Sequence, residues 1–239
     1  MSKKAGIFFL FLQTGTFIFA QNTLILNETF SNNKNEWYTD EWIYLKNGAY
    51  IINAEKNNAA SWRNTPIRDC KIQIQTRWKD GLDNFGYGLI FRMKSNDQFY
   101  VFWIAAQGYF LAGKIDGSNS SLFNKWTLSN KIHKKGLNTL QVEVKGAHIT
   151  GWVNGFELFS ADDTSYTEGG FGFYCQKGVV AEFDNLKVWE YPVAASLQQR
   201  NSETGLSLVR AFSRMAGALK ECTCLKPQKF WKNSAEEAA

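Results

Sequence analysis

The sequence is poor in proline, histidine and cysteine: three, two and four residues in a chain of 239. Scarce proline beside 15% aromatic residues excludes extended disorder over most of the length. The two histidines, His133 and His148, both sit beside turns flanked by lysine or glycine. A Ser-His-Asp or Cys-His catalytic machine therefore has little support, and both read as surface residues. Of the cysteines, Cys222 and Cys224 form a C-x-C with no neighbouring histidine or further cysteine, too thin a set for zinc. Cys70 and Cys175 leave two readings open, a disulfide bridge or two buried free thiols. Charge of one sign is also missing as a block. The formal net charge is +5, with acids and bases interspersed and no basic stripe, so nucleic acid is not an expected partner. G-x-G-x-x-G opening a helix is absent as well.

Only one long apolar run exists, and it lies at the N-terminus. MSKK provides a positive region and GIFFLFLQTGTFIFA an apolar core, followed by Ile18-Phe19-Ala20 before Gln21. The run is short and broken by Gln13 and Thr14, which fits a cleaved signal peptide over residues 1–20 better than a membrane anchor. No cysteine near the cleavage site supports lipid attachment. The expected mature chain is secreted or periplasmic, where disulfides are permitted.

What the chain has in abundance is short aromatic and β-branched bursts. Residues 85–115, FGYGLIFRMKSNDQFYVFWIAAQGYFLAGKI, read as an antiparallel meander broken at SNDQ and at Gly108. Tyr87, Leu89, Phe91 and Met93 share one strand face. With a connection of SN, ND or all of SNDQ, Tyr100, Phe102 and Ile104 join them as core. The opposite face then carries Ile90, Arg92, Val101 and Trp103, an arginine beside a tryptophan. A three-residue connection would instead swap the second strand's faces.

The same alternation recurs along the chain. Cys70, Ile72, Ile74 and Thr76 face one way, and Lys71, Gln73, Gln75 and Arg77 the other. Asn47-Gly48, Lys145-Gly146 and Asn154-Gly155 mark hairpin turns. About ten to thirteen short strands and no convincing helix before Pro192 argue for an all-β sandwich over residues 21–193. Beyond it, residues 194–239 place Leu208, Val209, Phe212, Met215, Ala216 and Leu219 at helical spacing, with Thr204 as a cap. This C-terminal helical tail, basic and amphipathic, reads first as packed on the sandwich or loosely ordered, and second as a membrane or partner contact.

GYGLIFRMKSNDQFYVFWI, Gly108-Tyr109, NTLQVEVKGAHITGWVNGFEL, GGFGFYC and EFDNLKVWE, in that order, resemble the concanavalin A-like jelly-roll domains of secreted bacterial proteins. Within them the nearest subgroup is laminin-G-like or 3-keto-disaccharide-hydrolase-like. The resemblance spans roughly residues 24–191 and implies two antiparallel sheets of about six strands each. It also implies a carbohydrate site on the concave face and, near the two chain ends, a structural calcium ion with Glu28 and Asp184 at the matching positions.

Catalysis is the weaker expectation. Retaining glucanases of this fold place carboxylates at E-x-D-x-x-E on one strand, and nothing here matches. Glu36, Asp40 and Glu41 lack the spacing, and the strands over 70–79 and 86–94 carry no carboxylate. The keto-sugar hydrolases have N-S-G-I/L-x-x-R where this chain has GYGLIFR. A binding face fits better, because sugars present apolar C–H faces beside hydroxyls. The expected carbohydrate-binding set is Gln73, Gln75, Arg77, Arg92, Trp103 and Tyr109, for a saccharide or glycoprotein. A hydrolase with an unrecognised carboxylate pair and a structural adhesion scaffold are the alternatives.

Overall fold

A computed structural model of the protein describes residues 22–192; the leader and the tail helix expected above lie outside them. The described residues form fourteen strands and no helix. In chain order these are β1 (Thr23–Glu28), β2 (Ile43–Lys46), β3 (Ala49–Asn53), β4 (Ala59–Ile67), β5 (Cys70–Gly81), β6 (Tyr87–Ser95) and β7 (Gln98–Ile104). They continue with β8 (Tyr109–Asp116), β9 (Ser121–Leu128), β10 (Asn138–Lys145), β11 (His148–Val153), β12 (Phe156–Asp162), β13 (Gly169–Cys175) and β14 (Val179–Glu190).

Two antiparallel sheets result. The eight-stranded sheet runs β12–β11–β10–β5–β14–β3–β2, with β1 also paired to β14. The six-stranded sheet runs β4–β13–β6–β7–β8–β9. Their facing sides hold the core. Ile72, Ile74, Leu140, Val142, Phe183 and Val188 come from the first sheet, and Tyr87, Leu89, Phe91, Tyr100, Phe102 and Phe173 from the second. Phe173 stacks on Phe183 with ring centroids 4.6 Å apart, an aromatic contact that joins the two layers. Asn47 and Gly48 both have positive φ, 53° and 74°, as the tight β2–β3 hairpin requires.

The β6–β7 hairpin turns at Asn96-Asp97, with Ser95 opposite Gln98. Tyr87, Leu89 and Phe91 lie opposite Ile104, Phe102 and Tyr100 on the core side, as expected. The register breaks between Phe91 and Ser95, where Arg92 takes φ 47°. This bulge reverses the expected facing of two residues. Met93 turns outward to join a second apolar cluster, and Arg92 turns into the sandwich edge, where only 2% of it is exposed.

There the guanidinium ties three loops together. Nε and Nη2 donate to the Arg68 carbonyl at 3.2 and 2.9 Å, Nη1 to Tyr166 O at 2.9 Å, and Nη2 to Gly146 O at 2.8 Å. Asp69 Oδ1 lies 3.4 Å away and also accepts the Gly146 N–H at 2.9 Å. Burial draws the Arg92 pKa down, and the Asp69 carboxylate acts against that.

Cys70 and Cys175 are both free and buried, which settles the two readings in favour of thiols. They stand in different sheets at opposite ends. Cys70 pairs with Val144 and Glu190, whereas Cys175 pairs with Tyr87. Burial pushes the Cys70 thiol up to about 12.

Arg92→Ala would leave three carbonyls and Asp69 without their shared donor. Urea unfolding is expected to show a loss of about 3 kcal/mol. Arg92→Lys should recover little of it, because one ammonium group cannot span three loops. Wild-type stability in Arg92→Ala would mean that the guanidinium does not clamp these loops.

Candidate functional site

The outer face of the six-stranded sheet is built by register. Across the strands, Ala60 (β4), Tyr174 (β13), Gly88 (β6), Trp103 (β7) and Leu111 (β8) stand in one row. Trp62, Gly172, Ile90, Val101 and Gly113 form the next. Met93, Phe99, Ile115 and Trp126 complete the apolar cluster. Neither row contains a carboxylate or an ammonium group.

Glycine positions explain how large rings lie flat here. Gly88 stands between Tyr174 and Trp103, and with no side chain between them the two rings stack at 4.6 Å and 11°. A Cβ at Gly88, whose φ is +153°, would stand 2.5 Å from the Phe102 carbonyl oxygen. The rings cover one another so well that Trp103 is only 6% exposed and Tyr174 4%. Trp62 and Trp126 are half-buried and present their flanks. Tyr109, two residues along β8 from Leu111, is exposed and edges the floor. Trp103 Nε1 is buried without an acceptor among the described residues. Burial pushes the Tyr174 phenol up, so it remains a neutral hydroxyl.

The predicted site residues divide among three places. Trp103 and Tyr109 share this face. Arg92 does not, because its bulge turns it into the sandwich edge. Gln73, Gln75 and Arg77 lie on β5, on the outer face of the opposite sheet, and cannot meet Trp103. Gln75 Oε1 accepts a hydrogen bond from Asn185 at 2.9 Å, and Arg77 pairs with Glu182 at 3.4 Å. Trp62, Tyr174 and Trp126 are absent from the predicted set. For Tyr174 the signal was present in GGFGFYC: Phe171, Phe173 and Cys175 alternate with Gly170, Gly172 and Tyr174.

Glu28 and Asp184 do come near each other, through the pairing of β1 with β14. Glu28 is buried; its Oε1 accepts the Phe30 N–H at 2.7 Å and its Oε2 accepts from Asn35 Nδ2. Burial pushes the Asp184 carboxyl up, the Asn185 N–H opposes this, and the charges of Glu182 and Glu28 add to the rise. Hard carboxylate oxygens suit calcium. Among the described residues no group of three or more His, Cys, Asp or Glu could hold a metal.

The described residues include one serine–histidine–aspartate chain. His148 Nδ1 meets Asp162 Oδ1 at 2.9 Å, and Ser160 Oγ meets His148 Nε2 at 3.1 Å. Its histidine and aspartate side chains are 55% and 76% exposed, so water screens both. This is a surface hydrogen-bond chain, in line with the expectation for His148.

No protein-family model matches the chain, and no curated protein does. Solved structures are similar in fold. The carbohydrate-binding module CBM66 from Bacillus subtilis superposes with a TM-score of 0.55 at 18% identity, over 63% of this chain and 92% of that one. The catalytic domain of an endo-1,3-β-glucanase (laminarinase) from Thermotoga petrophila has a TM-score of 0.55 at 11% identity, over 73% and 100%. The endo-β-1,3-glucanase from Pyrococcus furiosus has a TM-score of 0.55 at 11% identity, over 73% and 97%.

Gly88→Ala would press a methyl against the Phe102 carbonyl oxygen, Leu140 and the Trp103 backbone and so shift Trp103 against Tyr174, at a cost of about 1–3 kcal/mol by overpacking. A lowered melting temperature with a changed near-ultraviolet circular dichroism spectrum is the expected result. An unaltered spectrum would mean that Gly88 does not seat the ring pair. With the pairings and the superpositions in hand, the fold is that of a concanavalin A-like jelly-roll sandwich.

Proposed function

We propose that the protein is a secreted, non-catalytic carbohydrate-binding module that seats a saccharide or the glycan of a glycoprotein on the outer face of its six-stranded sheet. The observation that carries this reading is the aromatic floor of Trp62, Tyr174, Trp103 and Trp126, edged by Tyr109. Sugar rings stack on such surfaces through their C–H faces. A carbohydrate-binding module and glucanase domains among the similar folds support a glycan-related role.

The absence of carboxylates from both rows supports binding over hydrolysis, since glycosidic cleavage ordinarily needs a flanking pair. Export to the cell exterior or periplasm belongs to the same proposal. So does a calcium ion near Glu28 and Asp184, where a cation would relieve the repulsion between neighbouring carboxylates.

On a glycan array the mature chain is expected to bind selectively. Trp62→Ala and Trp126→Ala should each weaken binding about tenfold, a loss of ~1.4 kcal/mol, with the β-sheet circular dichroism intact. Undiminished affinity in both variants would sink the reading. If calcium is bound, a chelator lowers the melting temperature of the mature chain; an unchanged value argues against the ion.

A further inference from the structure

The outer face of the eight-stranded sheet carries charged and carboxamide side chains, which the rows of the aromatic floor lack. The register Lys187–Gln73–Gln141–Trp152 crosses four adjacent strands, β14, β5, β10 and β11. All four side chains are half-buried, and all point outward because Ile72, Ile74, Leu140, Val142, Val153 and Val188 fill the core side.

The two carboxamides stand on neighbouring strands, and neither Gln73 nor Gln141 makes a side-chain hydrogen bond among the described residues. Each therefore keeps an N–H pair and a carbonyl oxygen available, matching the donor-and-acceptor character of adjacent sugar hydroxyls. Trp152 supplies a ring platform at one end. At the other end, Lys187 lies diagonal to Lys71, whose Nζ sits 4.1 Å above the Trp189 ring. Glu143, the nearest acid on the Lys71 row, is already held by Lys145 at 2.6 Å and by the Tyr191 hydroxyl. Lys71 also acts on Glu143, so Lys71, Lys145 and Lys187 share one carboxylate and that end keeps a net positive charge. Three inter-strand spacings give the row a length of about 14 Å, the scale of a short oligosaccharide.

We propose that the Lys187–Gln73–Gln141–Trp152 row is a second saccharide-binding strip, selective for an oligosaccharide that carries a carboxylate. The indole stacks on a sugar ring, the paired carboxamides bind its neighbours' hydroxyls, and the lysines bind the carboxylate. This strip lies on the opposite side of the sandwich from the aromatic floor and stands independently of the function proposed there. With both faces occupied, one domain would bridge two glycan chains.

The test is isothermal titration of the full mature chain with trigalacturonate, and with maltotriose as a neutral control, at low and high salt. Binding to trigalacturonate that weakens with salt is expected, with about tenfold losses in Gln141→Ala and Lys187→Glu. Trp62→Ala, on the other sheet, should leave it unchanged. No binding to trigalacturonate, or equal binding in Gln141→Ala and Lys187→Glu, overturns the strip. Losses in Trp62→Ala alone place all sugar binding on the aromatic floor and likewise overturn it. Losses confined to the strip variants uphold it, even if no glycan is found for the floor.

Discussion

The Arg92 guanidinium is the contact on which the arrangement of both faces depends. One bulged residue closes the end of the sandwich by donating to carbonyls at positions 68, 146 and 166, which belong to the β4–β5, β10–β11 and β12–β13 connections. Those connections link strands of both sheets. Gly169 fits against the bulge because a Cβ there would stand 2.5 Å from the Arg92 carbonyl carbon. The start of β13, and through it the register that delivers Tyr174, is thus set beside Arg92. A buried charge is costly unless its donors are satisfied, and here neutral carbonyls do most of that work while Asp69 balances the charge.

Glycine then decides what the outer face of the six-stranded sheet can hold. In an ordinary sheet, a side chain on β6 would separate residues of β13 from those of β7. Gly88 removes that separator, and two rings meet face to face across a strand. Gly172 lies beside Trp62 in the next row, where a Cβ would stand 2.6 Å from that of Trp62. Beside Trp103 on the same face, a Cβ on Gly86 would come 2.9 Å from Trp126. The rings consequently bury each other in place of a third layer of secondary structure. Such a floor is dry and uncharged, so any ligand proposed for it would gain through stacking and apolar contact.

Much of this was legible in the sequence where alternation alone decided the outcome. Tyr87, Leu89 and Phe91 against Tyr100, Phe102 and Ile104 followed from side-chain period and a two-residue turn. So did the outward facing of Gln73 and Gln75. Alternation assigns a residue to a face, however, and is silent on which sheet that face belongs to. Gln75 and Trp103 were both outward residues, yet they look away from opposite sides of the molecule. Arg92 failed for another reason: a bulge inserts one residue out of phase, and nothing in FRMKS marks it. Trp62 and Trp126 sit in strands whose pairings are irregular, β4 with β13 and β8 with β9, where period counting loses its phase.

The two faces also differ in where they place acidic side chains. Carboxylates on adjacent strands of one sheet face would stand about 5 Å apart, the separation that retaining glycosidases use. The aromatic floor offers such neighbouring positions at Ile90 and Val101, and at Gly88 and Trp103, but fills them with hydrocarbon or leaves them empty. An acid there would be desolvated against a packed ring cluster and would hold its proton without a compensating partner. The opposite sheet has its acids, but Glu182 pairs with Lys79 and Arg77, and Glu143 with Lys145. Both are committed to a neighbouring cation, whereas Asp184, opposite Gln75, has the carboxylates of Glu182 and Glu28 beside it. A sheet so arranged carries donors, acceptors and rings side by side on one wet face.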